Sequence, residues 1–227
     1  TRSERYGIKS ASAEFDFAEV MERVSSVITQ IEPHDSVERY TNLGVECMQG
    51  DARIESPWNV VANGKNLSTQ NIIIATGAKP RVPTIEGLDE IRYYTSDTIW
   101  SLRERPERLL VVGGGPIGCE LGQSFNRLGC QVTLVDMADR LMGPEDEDVS
   151  LLLTQQLEAE GVGLRLSQSI ESFSVEGDKQ MVALKSTTGE IQHVEFDAVL
   201  FAIGRVANIS GFGLEELDVQ KSRSGTI

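Results

Sequence analysis

The sequence predicts an α/β protein built around a parallel sheet, and three observations carry that prediction. The first is the stretch RLLVVGGGPIGCELGQSFNRLGCQVTLVD, Arg108 to Asp136: an apolar run, a glycine turn, a helical stretch, a second apolar run and an acid. The second is the alternation of strand-like runs with helix signals along the 227 residues, which is the pattern of layered α/β architectures. The third is an internal echo. IIIATGA at 72–78 and VLFAIGR at 199–205 are both apolar runs that end in Ala-x-Gly.

Taken in order, Phe17, Val20, Met21, Val24, Val27, Ile28 and Ile31 recur at helical spacing, so residues 16–31 form an amphipathic helix. Pro33 ends it. Asp35 then offers an N-cap with Glu38 three residues on, a capping-box pattern, and Gly44 supplies the stop. From Val45 to Asn71, short apolar pieces separated by QGD, SPW and NGK read as a strand meander. NIIIATGAKPRVP follows as a buried strand running into a Gly and Pro loop, and residues 82–106 form a connector. Beyond Asp136 comes a helix over about 146–160, ended by Gly161. GLRLS, SIESFSVE and QMVALKST read as further strands, and DAVLFAIGRVAN closes the series.

Composition excludes several function classes. A formal net charge of −14 with a pI near 4.6, and no run of Lys or Arg, repels phosphate backbones and argues against nucleic acid as a partner. No apolar run approaches the roughly 20 residues of a membrane span, and TRSERYGIKS lacks the regions of a secretory signal. Cys47, Cys119 and Cys130 have no C-x-x-C spacing, so neither a disulfide framework nor a zinc site is expected. The expected compartment is the cytoplasm. Cys119 lies near a helix start, which can lower a thiol pKa, but it has no partner cysteine and reads as a packed small residue. Cys47 and Cys130 read as core, and His34 and His193 as isolated surface or satisfied residues.

Gly113, Gly115 and Gly118 match G-x-G-x-x-G directly after an apolar strand and at a helix start. The first glycine permits the tight turn, the second lets the backbone approach a pyrophosphate, and the third allows close helix–strand packing. Phosphate would sit on free N–H groups at the positive end of the helix dipole. Pro116 in the first turn costs little, because its missing N–H would be unpaired anyway. The unit is therefore Rossmann-like. Asp136 falls 23 residues after Gly113, where a carboxylate accepts hydrogen bonds from adenosine ribose hydroxyls and repels a 2′-phosphate, favouring NAD over NADP. Arg140 nearby is the residue type an NADP site would use, or else a solvated surface arginine. Glu120 on the first helical turn favours the helix dipole, and spacing assigns it no further task.

With NIIIATGAKPRVP, VVGGGPIGCE and DAVLFAIGRVAN in this order, the chain resembles the pyridine nucleotide–disulfide oxidoreductases. These flavoproteins include dihydrolipoamide dehydrogenase, glutathione reductase, mercuric reductase and soluble transhydrogenase, and the helical entry is most similar to the mercuric reductase-like branch. The resemblance implies a Rossmann-like NAD-binding domain, 107–205, inserted between portions of an FAD-binding domain, 1–106 and 206–227. It implies a fragment, because the sequence shows no second G-x-G-x-x-G, no C-x-x-x-x-C redox pair and no His–Glu pair. The complete enzyme is expected to be a homodimer that uses NADH and FAD. Gly113, Gly114, Gly115, Pro116, Ile117 and Gly118 match the pyrophosphate turn, with Ile117 and Glu120 on the nicotinamide side. Asp136 matches the ribose acid, Ile170 a backbone contact beside adenine, and Gly204 a glycine near the nicotinamide. Thr76 and Gly77 match flavin-side contacts, and Ala52 a contact to the FAD adenine. Two departures stand out: Pro116 replaces the Tyr lid of some relatives, and Ala207 replaces the proline of G-R-x-P-N. The alternative reading is a stand-alone NAD(H)-binding regulatory module without flavin.

Overall fold

A computed structural model describes residues 6–9, 12–223 and 225–227. Helix α1, Phe17–Ile31, begins where Asp16 accepts a hydrogen bond from the Glu19 N–H at 3.1 Å. A single 3-10 turn, Glu32–Asp35, follows through Pro33, and α2 spans Val37–Asn42. The cap of α2 is Ser36, whose hydroxyl accepts from the Arg39 N–H at 3.2 Å, and not Asp35. The 3-10 turn has already absorbed Asp35 into its own last position, so the next cap-forming residue takes the role. Beyond it, β1 (Ala52–Ser56), β2 (Asn59–Ala62) and β3 (Lys65–Ser68) form the expected antiparallel meander.

The buried strand expected over Asn71–Gly77 does not form. Residues 71–77 carry no strand pairing, and Ile73 is 91% exposed. Pairing begins only at β4, Ala78–Pro80. The connector also holds a short strand, β5, Tyr93–Thr95. After it come β6 (Arg108–Val112), α3 (Pro116–Arg127), β7 (Gln131–Val135) and α4 (Glu147–Ala159). The remainder is β8 (Gly163–Arg165), β9 (Gln168–Glu176), β10 (Lys179–Ser186), β11 (Ile191–Phe196), β12 (Ala198–Phe201) and β13 (Arg205–Ala207).

The five-stranded sheet β5-β12-β6-β7-β8 is parallel throughout. Its central strands are nearly continuous apolar runs because both faces are covered. Leu109, Val111, Leu134 and Leu200 meet Cys119 and Phe125 of α3 and Leu157 of α4 on one face. Phe17 and Met21 anchor α1 to that same layer, with the Phe17 ring 6.2 Å from Phe125. On the other face Leu110, Val112, Val135, Val199 and Phe201 pack against Phe173, Val182, Leu184 and Phe196 of the antiparallel sheet β11-β10-β9. The layers are therefore helices, parallel sheet and antiparallel sheet.

The two echo motifs meet in space. The residues after IIIATG and VLFAIG, β4 and β13, pair antiparallel with Ala207 opposite Ala78 and Arg205 opposite Pro80. Arg205 ties this ribbon to the turn after β5 by an ion pair to Asp97 at 2.9 Å and a hydrogen bond to the Ser96 hydroxyl at 3.1 Å.

Candidate functional site

In the parallel sheet, β6 is followed in sequence by its neighbour β7 on one side, whereas its other neighbour, β12, comes last of the sheet's strands. That reversal leaves a crevice at the carboxyl ends of β12, β6 and β7, the usual place for a ligand in open α/β sheets. A cavity of about 720 Å³ lies there. Gly113, Gly114 and Gly115 line its middle, Asp136 and Ile170 one side, and Gly204 the other.

The glycine turn is held tightly. The Gly113 N–H donates to the Val135 carbonyl at 2.8 Å, and Gly113 has φ +113°, which glycine alone adopts readily. At Gly118 a Cβ would stand 1.8 Å from the Gly113 carbonyl oxygen, so the missing side chain lets α3 sit against the strand end. A Cβ on Gly115 would meet nothing within 4 Å. Gly115 is also the N-cap of α3, and no side chain caps that helix start. The helix thus presents uncapped N–H donors and its positive dipole end beside open space, a fit for a phosphate group.

Asp136 is half-buried and pinned. One carboxylate oxygen accepts from the Gly114 N–H at 2.5 Å, the other from the Ala138 N–H at 2.7 Å. A carboxylate offers about four lone-pair sites, so two remain for a ligand. Arg140 lines the same cavity and donates one N–H to the Gly143 carbonyl at 2.7 Å, while its Nη1 is buried without a partner among the described residues. The Gln168 carboxamide oxygen, also lining this cavity, is likewise buried without a partner among the described residues.

The other residues singled out from the sequence fall elsewhere. Pro116, Ile117 and Glu120 occupy the first turns of α3, with Pro116 and Glu120 exposed. Thr76 and Gly77 are tied to Asn208: the Thr76 hydroxyl donates to the Asn208 carbonyl at 2.5 Å, and the Asn208 N–H donates to Gly77 at 2.9 Å. Ala52 pairs with Ala62 in the meander, and none of these three lines the cavity.

Cys119 is buried, and burial, with the Asp136 and Glu120 charges, pushes its thiol pKa up to about 11. Cys130 is buried and likewise raised to about 11. Cys47 is only half-buried and belongs to no core cluster, so the expectation that it is core fails. It precedes the paired part of the meander, which begins only at Ala52. His34 and His193 are exposed. Among the described residues no group of His, Cys, Asp and Glu could hold a metal, and no helix is long and apolar enough to cross a membrane.

Arg81, Met137 and Gln168 also line the cavity and were not identifiable from the sequence. Arg81 is brought there only by the pairing of β4 with β13, which no local pattern announces.

The family profile for "Pyridine nucleotide-disulphide oxidoreductase" matches residues 6–227. The chain is 30% identical to a mercuric reductase from Staphylococcus aureus over 97% of this chain and 40% of that protein. It is also 30% identical to a dihydrolipoyl dehydrogenase from Acholeplasma laidlawii, over 98% of this chain and 66% of that protein. Among solved structures, LpdA from Mycobacterium tuberculosis superposes with a TM-score of 0.79 at 26% identity, over 99% of this chain and 49% of that one. The chain spans about 40% of the length of the mercuric reductase it matches. A parallel sheet with a glycine turn at its strand-order reversal, matched along nearly every residue, places this chain in the pyridine nucleotide–disulphide oxidoreductase family.

Proposed function

We propose that the chain is the NAD(P)H-binding portion of an FAD-dependent oxidoreductase, with residues 107–205 holding the nicotinamide nucleotide between portions of an FAD-binding domain at 1–106 and 206–227. The observation that carries this reading is the convergence of Gly113–Gly115, Asp136, Ile170 and Gly204 on one cavity from three loops and the start of β9. β5 joins the same sheet from within the 1–106 segment, so the folded unit that supports the site draws on that segment as well.

In this reading the uncapped start of α3 takes the diphosphate, and Gly115 leaves the space for it. The two remaining lone-pair sites of Asp136 take the adenosine ribose hydroxyls, which favours NAD over NADP. The Ile170 backbone lies beside the adenine and Gly204 borders the nicotinamide. When bound, nicotinamide and flavin supply the hydride transfer between them. Thr76, Gly77 and Ala52 are proposed on the flavin side, Glu120 supports the nicotinamide side, and the complete enzyme is proposed as a homodimer.

The test is a fluorescence titration with NADH and with NADPH. The expected result is tighter binding of NADH, with Asp136→Ala narrowing the difference. Tighter NADPH binding overturns the assignment of Asp136. Dye-coupled diaphorase activity in a yellow, FAD-bearing protein would exclude a stand-alone NAD(H)-sensing module.

A further inference from the structure

The cavity is charged in a way that the protein as a whole is not. The chain carries −14 overall, yet the charged residues lining the cavity are two arginines, Arg81 and Arg140, and one carboxylate, Asp136. A net positive lining in so acidic a protein suits a ligand with at least two negative charges. Arg140 already spends one N–H on the Gly143 carbonyl, beside Asp136. Arg81 makes no side-chain hydrogen bond or ion pair among the described residues.

Its backbone, in contrast, is fixed. Arg81 follows Pro80 and precedes Pro83, and its N–H donates to the Gly204 carbonyl at 2.9 Å. Pro80 is itself held in the β4–β13 ribbon opposite Arg205. An arginine with an anchored backbone, an uncommitted guanidinium and a cavity in front of it is arranged to meet an anion. Its location says which one. Gly204 and Ala202 follow β12, and Ala202 abuts Gly113, whereas Asp136 follows β7 on the opposite side of the glycine turn. A dinucleotide whose adenosine ribose meets Asp136 therefore turns its second phosphate toward Arg81.

We infer that Arg81 is a binding residue for the diphosphate of the nucleotide, acting on the phosphate that belongs to the half farther from Asp136. This rests on the nucleotide reading above and extends it to a residue outside the glycine unit. The arrangement also draws on the segment before residue 107 to complete the site.

The test is fluorescence titration of wild type, Arg81→Gln and Arg81→Lys with NADH at two salt concentrations, together with displacement of NADH by 5′-AMP. Loss of a charge-assisted hydrogen bond at a diphosphate is expected to weaken NADH about tenfold in Arg81→Gln and to flatten the salt dependence. Arg81→Lys should recover part of the loss, because lysine restores the charge without the planar fork. AMP, which lacks the second phosphate, should displace NADH with an unchanged inhibition constant. Thermal midpoints should be equal, since Arg81 is exposed. Unchanged NADH affinity in Arg81→Gln overturns the inference alone, and equal weakening of NADH and AMP overturns the assignment to the second phosphate. A wild-type protein that binds no NADH overturns the nucleotide reading and this inference with it.

Discussion

Gly118 and Gly115 lie three residues apart, and the structure gives them opposite tasks. Adding a Cβ to Gly118 places it 1.8 Å from the Gly113 carbonyl oxygen and 3.0 Å from its carbon. Reaching even 3.0 Å from that oxygen requires the helix start and the strand end to part by about 1.2 Å. The atom in the way is backbone, held on its other side by the Gly113–Val135 hydrogen bond, so no side chain can swing aside. The cost belongs at the upper end of the overpacking range, about 3 kcal/mol. For a domain of this size that lowers the thermal midpoint by roughly 6–12 °C. Gly115 has φ −79° and ψ −175°, which any residue adopts, and its Cβ would point into open space. Gly115→Ala should shift the midpoint by no more than about 3 °C, through a slightly poorer N-cap, yet weaken NADH about tenfold or more. Thermal melts and NADH titration of the two variants test both halves together. A Gly118→Ala protein that melts within about 2 °C of wild type refutes the packing argument. A Gly115→Ala protein that binds NADH like wild type refutes the placement of the diphosphate.

Three further outcomes are expected. With a thiol raised to about 11 and buried, Cys119 should resist a thiol reagent at pH 8 in the native state, as should Cys130, leaving Cys47 to react; Cys47→Ser should then abolish the fast phase, and persistence of that phase would contradict it. Arg108, paired to Asp197 and to Glu195 at 2.6 Å each, holds both carboxyls below their ordinary range. A depressed carboxyl stabilises the fold above its unfolded pKa, near 4, and that contribution is lost as pH falls. The melting temperature should therefore drop on acidification through about pH 4, and Arg108→Gln should make the drop shallower; an unchanged slope would remove the pair from the account. Ile73, 91% exposed, should tolerate Ile73→Lys without loss of melting temperature and with less self-association by light scattering.

The same exposed isoleucine marks where reading the sequence stops being sufficient. Ile72, Ile73 and Ile74 have high β-propensity, but propensity supplies only one side of a strand. Among the described residues nothing pairs with this run until Ala78 meets Ala207. VLFAIG carries the same signal and becomes β12, because β5 and β6 flank it. The difference between the two echo motifs is entirely in their neighbours. Two strands escaped notice for the opposite reason. β11 reads Ile-Gln-His-Val-Glu-Phe and is mostly exposed until Phe196, so its pattern is too polar to announce an edge strand. β5 is only Tyr93–Thr95, and its strand character comes from a parallel partner more than 100 residues later.

The glycine unit was legible because its constraints are local: a turn, a helix start and an acid at the end of the next strand are all written within 30 residues. The cavity adds what that stretch cannot contain. Gly113 needs its own lack of a side chain because the Ala202 carbonyl oxygen lies 2.5 Å from where a Cβ would be, and Ala202 arrives there just after β12, nearly 90 residues later. Arg81 arrives because Gly204, two residues beyond Ala202, accepts its N–H. A strand-order reversal thus does two things at once: it opens the crevice and assembles its walls from segments distant in sequence. The residues most restricted by the backbone are found by motif. The side chains that complete the lining are found only once the strand order is known.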